Sequence, residues 1–578
     1  MKQSTTWRHS PCWPSHRLAF NINIMSAATA GFPHAFVPHL PLKTDGPTHL
    51  ESQIPQAMPL IVDTDFQSGS TSNAESRFGE HQSVAVIGSG ISGVCAAAHL
   101  LKYGLSVTVF ERSNGAGGVW KFDERPPEDP PYIYRPPSIG DQQHIPPGAV
   151  FDGGDAKFLN LEVRFAPPSP CYVGLKTNVP TPLMGTTLGN WPEGSPASVS
   201  HSAALQYIRS LAKRSGLDAV TEFNTRVEDV RKTSDGSKWR ITTLALEIED
   251  GIPSAQFTEK VRDFDLVVVA SGHYNMPRIP QIEGLKGWKD SFPDRVIHSK
   301  RYRNPEKYRN QNVLVIGAGV SATDVCKELG EVSHKTYQST RNGRFDLPAS
   351  VLPPNAVRVA SVEKFVPLEA KIEGEEPTLG NNQPIPGSVV LTDGTILQDI
   401  HQVVLATGYI VSYPFLPQLH SDTAVDADPD DELVVTSDGI MTHNLHKDIF
   451  YINDPTLAFI GVPYHVATFS LFDFQAQALA RVFAGRAKLP TQEDMRREYE
   501  KRVEEKGRGR FFHSLVTPGH EIAYVRDLAE WVNGYVKETG GEPMPVHSEE
   551  FLKEYNVLKS RLRGLYPEIA KNDGELQE

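Results

Sequence analysis

Two glycine-rich turns, 229 residues apart, constrain this chain more than any other feature. The first is Val84-Ala85-Val86-Ile87-Gly88-Ser89-Gly90-Ile91-Ser92-Gly93, and the second is Val313-Leu314-Val315-Ile316-Gly317-Ala318-Gly319-Val320-Ser321-Ala322. Each follows a short apolar run of strand composition and opens a helix-like stretch, the context that separates a dinucleotide-binding turn from a chance match. Gly88 and Gly317 permit the tight turn. Gly90 and Gly319 let the backbone approach a pyrophosphate. Gly93, and Ala322 in its place, let helix and strand pack closely. The phosphate then rests on amides at the helix N-terminus, where Ser321 lies. Two complete turns imply two dinucleotides on one chain, with electrons passing between them. The alternative is a pair of empty Rossmann folds.

The two turns differ at the ribose position. Counting 23 residues from Gly88 reaches Glu111, at the end of Leu105–Phe110. An acid there suits a ribose diol and repels a 2′-phosphate. The same count from Gly317 reaches Thr340, followed by Arg341 and with no acid beside it. A guanidinium can pair with a 2′-phosphate. The first turn therefore reads as a site for FAD or NAD, the second for NADP(H).

A chain of 578 residues allows two or three domains. Its net charge of −13 argues against nucleic acid and anionic membrane as partners. The cysteines, Cys12, Cys95, Cys171 and Cys326, form neither a CxxC redox pair nor a metal spacing. That argues against disulfide reductases and against a bound metal. No apolar run approaches the roughly 18 residues of a membrane span, so no membrane anchor and a cytoplasmic location are expected. Residues 1–44 contain no acid, which fits either a transit peptide or a start site at Met25.

Residues 1–80 are rich in Pro, His and Ser without periodicity, and read as a disordered tail. A strand-turn-helix-strand unit runs from Ser83 to Glu111. Residues 121–170 contain eleven prolines, which excludes a helix or central strand through them. They read either as a disordered insertion or as an ordered excursion walling a site. A helix is expected over 202–215 and strands over 222–249. Two matching apolar strands end in small residues, Val267–Gly272 and Val403–Tyr409, where the chain should cross between nucleotide domains. Thr491-Gln492-Glu493-Asp494 has the pattern of a helix N-cap.

Together these motifs resemble the flavin-containing monooxygenases. That family's fingerprint, F-x-G-x-x-x-H-x-x-x-Y/F, is matched by Phe292-Pro293-Asp294-Arg295-Val296-Ile297-His298-Ser299-Lys300-Arg301-Tyr302, with Asp294 in place of Gly. Glu111-Arg112 with Gly117-Gly118-Val119-Trp120 is similar to its second flavin motif. Leu175-Lys176-Thr177-Asn178-Val179-Pro180 is similar to its L-x-T-N-x-P segment. Leu405-Ala406-Thr407-Gly408-Tyr409 resembles its ATG motif, and Phe459-Ile460-Gly461 with Asp473-Phe474-Gln475 its return to the flavin.

The resemblance implies an α/β fold with two Rossmann-like domains. An NADPH domain at 304–400 would be inserted in a discontinuous FAD domain at 81–303 and 401–490, before a helical region at 491–578. It implies FAD on Gly88, Gly90, Gly93, Glu111, Arg112, Gly118 and Trp120. NADPH would lie on Gly317, Gly319, Ser321, Thr340, Arg341 and Thr407. A C4a-hydroperoxyflavin would pass one oxygen atom of O2 to nitrogen or sulfur of a small organic substrate, with Asn178 facing the flavin as the catalytic residue. Baeyer–Villiger oxidation of a ketone is the alternative chemistry, disfavoured by Tyr302 where that group carries Trp. A non-catalytic NADP(H) sensor is the alternative class. His298 is read as structural. The run Arg295, Lys300, Arg301, Arg303, Lys307 and Arg309 is read as solvated surface or as a phosphate-holding patch. Tyr464, His465, Phe469 and Phe472 are read as core or as a substrate pocket.

Overall fold

Strand Ser83–Ile87 (β1), helix Ile91–Lys102 (α1), strand Ser106–Phe110 (β2) and strand Leu266–Val269 (β3) form the centre of the first nucleotide unit. In the computed structural model, described over residues 78–79, 81–132, 135–152, 156–248, 254–367, 380, 382–424 and 432–565, β1 pairs in parallel with both β2 and β3. The tail expected at 1–80 lies outside these residues, apart from 78 and 79. All but one residue of β1 are buried. That burial on both faces explains a continuous apolar run in place of an alternating one. The seven-stranded sheet is completed by Thr221–Glu222, Leu445–His446, Phe450–Tyr451 and Leu457–Phe459.

The second unit repeats the design. Strand Asn312–Ile316 (β4), helix Val320–Leu329 (α2), strand Lys335–Ser339 (β5) and strand Gln402–Leu405 (β6) share a five-stranded parallel sheet with Val296–His298 and Ala356–Val359. The sheet therefore takes strands from both sides of the 304–400 window. The chain crosses between units twice. The crossings, Met276–Pro277 and Tyr409–Ile410, pair antiparallel with each other.

Helix Thr468–Phe483 (α3) packs on α1. Ala96 and Ala97 of α1 and Ala476 and Ala480 of α3 are fully buried, and such small side chains allow close helix approach. Between the helices His99 Nε2 lies 2.7 Å from Asp473 Oδ1. Helix Gln492–Lys506 (α4) begins as expected, with Thr491 Oγ1 accepting from the Asp494 amide at 3.1 Å.

The proline-rich excursion is ordered over the described residues 121–132 and 135–152, and it is held by ion pairs. Asp129 meets Lys289 at 2.7 Å, and Asp141 meets Arg112 at 2.9 Å and Lys300 at 2.8 Å. Behind it, Thr225–Lys232, Trp239–Ile248 and Ser254–Phe264 form an antiparallel meander with Val150–Asp152. Cys95, Cys171 and Cys326 are buried and unpaired, as packing residues should be; Cys12 lies outside the described residues. No helix among the described residues is long and apolar enough to cross a membrane.

Candidate active site

The first glycine turn is fixed by backbone sterics. Gly88 has φ +105°, and a Cβ there would stand 2.6 Å from the Ala270 carbonyl oxygen. A Cβ on Gly93 would collide with the Gly88 carbonyl, so α1 can start close to β1 only with glycine there. Gly90 faces Gly118, and a Cβ on Gly118 would lie 2.9 Å from the Gly90 Cα. The two glycine motifs thus form one backbone cradle.

Glu111 follows β2 directly and is buried. Its Oε2 accepts from the Ser89 amide at 2.8 Å and its Oε1 from the Ser113 amide at 2.9 Å. Each carboxylate oxygen keeps a lone pair, so the acid can still meet a ribose diol. Ser271 Oγ, beside Gly88 at the end of β3, is buried with no hydrogen-bond partner. Such an orphan hydroxyl at an otherwise satisfied turn marks a position for a polar ligand. These features fit FAD.

The second turn fits NADPH by a different observation. Gly317 has φ +121° and a Cβ there would collide with the Ala406 carbonyl. Gly319, in contrast, has an ordinary φ of −76°, and a Cβ on it would meet no atom within 4 Å. The fold does not require glycine there, whereas a pyrophosphate over the α2 N-terminus does. Ser321 is exposed in the first turn of α2. Arg341 is exposed and has no ion-pair partner among the described residues.

Several expected side chains have other work. Arg112 is taken up by Asp141 and by Asn275 Oδ1 at 3.1 Å, so it holds the excursion against the nucleotide unit. Burial raises the Asp141 carboxyl, but Arg112 and Lys300 outweigh it and hold it well below the usual carboxylate range. Thr340 donates to Asp346 and accepts from the Asn342 amide at 2.8 Å, organising the loop that presents Arg341. Thr407 Oγ1 donates to the Arg278 carbonyl at 2.5 Å, clasping the two crossings. Trp120 packs edge-on against Phe469 at 5.9 Å.

The basic run is neither a solvated face nor a phosphate patch as a whole. Lys300 and Arg303 are buried. Lys300 Nζ meets Asp141 and the Asn275 carbonyl, while Arg303 donates to the carbonyls of Cys171, Lys300 and Tyr302. Sequence reasoning missed this because backbone carbonyls, which are most of the acceptors here, leave no trace in composition, and Asp141 comes from a distant segment.

His298 is fully buried. Its Nδ1 accepts from the Lys300 amide at 3.1 Å, so Nε2 carries the hydrogen and donates to the Gly408 carbonyl at 3.1 Å. Burial pulls its pKa down to about 3, so it stays neutral and joins β-strand to crossing. Asn178 is exposed and makes no hydrogen bond among the described residues, so it is not capping a turn. Its neighbour Thr177 is the structural residue, buried, with Oγ1 accepting from the Val199 amide at 3.1 Å. Phe469 and Phe472 are core, but Tyr464 and His465 lie outside it.

The carboxyl ends of the two sheets meet. Tyr274, beyond β3, lies 5.4 Å from Tyr409, beyond β6. In open α/β sheets ligands bind outside the carboxyl ends of strands. Two such turns opening on one junction define a two-dinucleotide oxidoreductase.

The comparisons agree. The flavin-binding monooxygenase-like family model matches residues 171–352 and 383–537, and an NAD(P)-binding Rossmann-like model matches 86–139. The flavin-containing monooxygenase ustF2 of Aspergillus flavus is 42% identical over 469 residues, covering 78% of this chain and 91% of that protein. Senecionine N-oxygenase of Tyria jacobaeae is 27% identical, covering 83% of this chain and 88% of its own. The structure of S-allyl-L-cysteine S-oxygenase from Allium sativum aligns with a TM-score of 0.58 at 25% identity, over 86% of this chain and 94% of that one. The chain belongs to the flavin-containing monooxygenase family. It is accordingly an enzyme that uses FAD and NADPH, with O2 and a small organic molecule as its other reactants.

Proposed function

We propose that the enzyme inserts one oxygen atom of O2 into nitrogen or sulfur of its substrate, with Asn178 as the residue that meets the reacting oxygen. The observation that carries this reading is the junction itself. Two cofactor sites open on one aromatic-lined cleft, and His298, whose ring lies 5.3 Å from Tyr409, is held neutral and fully hydrogen-bonded. His298 is therefore out of acid–base chemistry, and Asn178, exposed and without a hydrogen bond among the described residues, is a neutral amide free to meet a ligand. When bound, FAD and NADPH supply the electrons and activated oxygen that no side chain here can provide.

The chain's own residues bind, orient and exclude water. Gly88, Gly90 and Gly118 would admit the first pyrophosphate and Glu111 its ribose. Gly319, Ser321 and Arg341 would hold the second nucleotide, with the Arg341 guanidinium free to pair with its 2′-phosphate. Asn178 offers two donors and an acceptor without charge, so it can hydrogen-bond a reactive oxygen without taking its proton. Tyr274 and Tyr409 wall the cleft and restrict water. N- and S-oxygenases stand among the relatives, which supports a soft nucleophile as substrate. Incubation of a thioether, a tertiary amine and a cyclic ketone with NADPH and labelled O2, followed by mass spectrometry, tests the reading. One labelled oxygen on sulfur or nitrogen is expected; a labelled ester from the ketone alone overturns it.

A further inference from the structure

The junction cleft holds a cation that the functions above leave unused. His273 and Tyr274 beyond β3 lie with ring centroids 4.3 Å apart, and His273 lies 6.3 Å from Tyr464. Tyr464 in turn lies 4.9 Å from His465. Arg510, from the loop after α4, is exposed at the edge of this ring cluster. Its guanidinium covers Gly408, where a Cβ would stand 2.9 Å from Nη2. Its charge is felt at His273, Tyr274, Arg278, Tyr464 and His465. Yet Arg510 makes no hydrogen bond or ion pair among the described residues, and the Tyr464 hydroxyl is buried with no partner.

The backbone carrying Arg510 is firmly held. Phe511 stacks on Phe345 at 4.3 Å. Arg502 donates to the Phe512 carbonyl at 2.9 Å, and His513 bridges Asp448 and the Thr442 carbonyl at 2.8 Å each. The cluster also sits beside the first cofactor site. The Gly461 backbone faces His273, and a Cβ on Gly461 would lie 2.5 Å from Ser92 Oγ on α1. The nearby acid Asp448 is already committed to Arg502 and His513.

An exposed guanidinium on a fixed loop, unpaired among the described residues and with its charge reaching an orphan phenol, matches the planar bidentate geometry of a carboxylate. We propose that Arg510 anchors the carboxylate of an anionic or zwitterionic substrate, with the Tyr464 hydroxyl as a second donor. This rests on the oxygenation reading above and narrows its substrate to thioethers or amines that also carry an acid group. The rings cover the apolar part between the carboxylate and the reacting atom. A cofactor phosphate is the other anionic group that could reach this cation, and the test separates the two.

The holoenzyme with NADP+ is titrated with 3-(methylthio)propanoate and with its methyl ester, and dissociation constants are read from the flavin absorbance change. The acid is expected to bind at least about tenfold tighter than the ester, the scale of a charge-assisted hydrogen bond. Arg510→Met should abolish that preference by weakening the acid alone, and Tyr464→Phe should reduce it by about threefold. NADPH-driven flavin reduction, followed by rapid mixing, should keep its half-saturating NADPH concentration within about twofold. Equal affinity for acid and ester in the unaltered enzyme overturns the proposal. So does an Arg510→Met enzyme that retains the preference but needs far more NADPH, since that places a cofactor phosphate on Arg510. Because the titration needs no turnover, acid-selective binding without labelled product would support this site while overturning the reaction assigned above.

Discussion

Gly317 and Gly319 stand two residues apart, and the structure assigns their glycines to different causes. Gly317 needs its φ of +121°, and a Cβ there would strike the Ala406 carbonyl. Gly317→Ala should therefore destabilise the apo NADPH domain by about 2 kcal/mol or more, since a strained left-handed residue alone costs of order 1–3 kcal/mol. Gly319→Ala meets no atom within 4 Å and keeps an ordinary φ of −76°. Removing glycine's freedom from the unfolded chain stabilises by about 0.4–1 kcal/mol. Losing glycine's preference at an N-cap offsets part of that, so the net change is within about 1 kcal/mol. Its methyl group should instead obstruct the pyrophosphate, raising the NADPH dissociation constant about tenfold or more, equivalent to roughly 1.4 kcal/mol. Urea unfolding without NADPH measures the first quantity, and flavin reduction against NADPH concentration measures the second. A Gly319→Ala enzyme with unaltered NADPH affinity, or with apo stability lowered as far as in Gly317→Ala, refutes the assignment of this turn to a ligand.

Asn178→Leu should leave flavin reduction by NADPH nearly intact while product per NADPH falls about tenfold or more and hydrogen peroxide rises; fully coupled turnover in the variant would remove Asn178 from the site. Arg341→Ala should weaken NADPH binding by about 1.5–3 kcal/mol and leave NADH unaffected, and equal losses for both coenzymes would end that role. Glu328 sits on α2 with Tyr302 donating to it at 2.6 Å, and burial raises its pKa from 4.5 to about 7. A raised folded-state value contributes stability below about pH 4.5 that is lost as pH rises through about 7. Glu328→Gln should therefore gain stability over the parent above pH 7, by up to about 3 kcal/mol, and a gain that does not grow between pH 5 and pH 8 contradicts it.

The nucleotide units were legible because their signals are local. A parallel strand buried on both faces is a continuous apolar run, and a glycine turn is dictated by atoms two to five residues away or by one neighbouring strand. Thr491 declared its helix through a hydroxyl three residues from the amide that it caps. What sequence could not convey was tertiary pairing. The excursion has no periodicity, and its order rests on Asp129 and Asp141 meeting Lys289, Arg112 and Lys300 from distant segments. Val296–His298 is too short for a pattern and becomes a strand only because β6 offers it a parallel edge. Arg510 gave no motif at all; it stands out only because it has no hydrogen-bond or ion-pair partner among the described residues.

The paired crossings carry a consequence for how such a molecule can be taken apart. Met276–Pro277 leads toward the second sheet and Tyr409–Ile410 leads back, and they lie side by side as hydrogen-bonded strands. The Arg278 amide donates to the Gly408 carbonyl at 2.9 Å, next to the Thr407 clasp. The insert's entry and exit are therefore neighbours. A host chain can be rejoined there by a short linker at small loop-closure cost, and the excised segment has ends close enough to be joined to each other. The NADPH module is topologically a cassette: it can be exchanged for a related one, or circularly permuted, without cutting any strand of the FAD sheet.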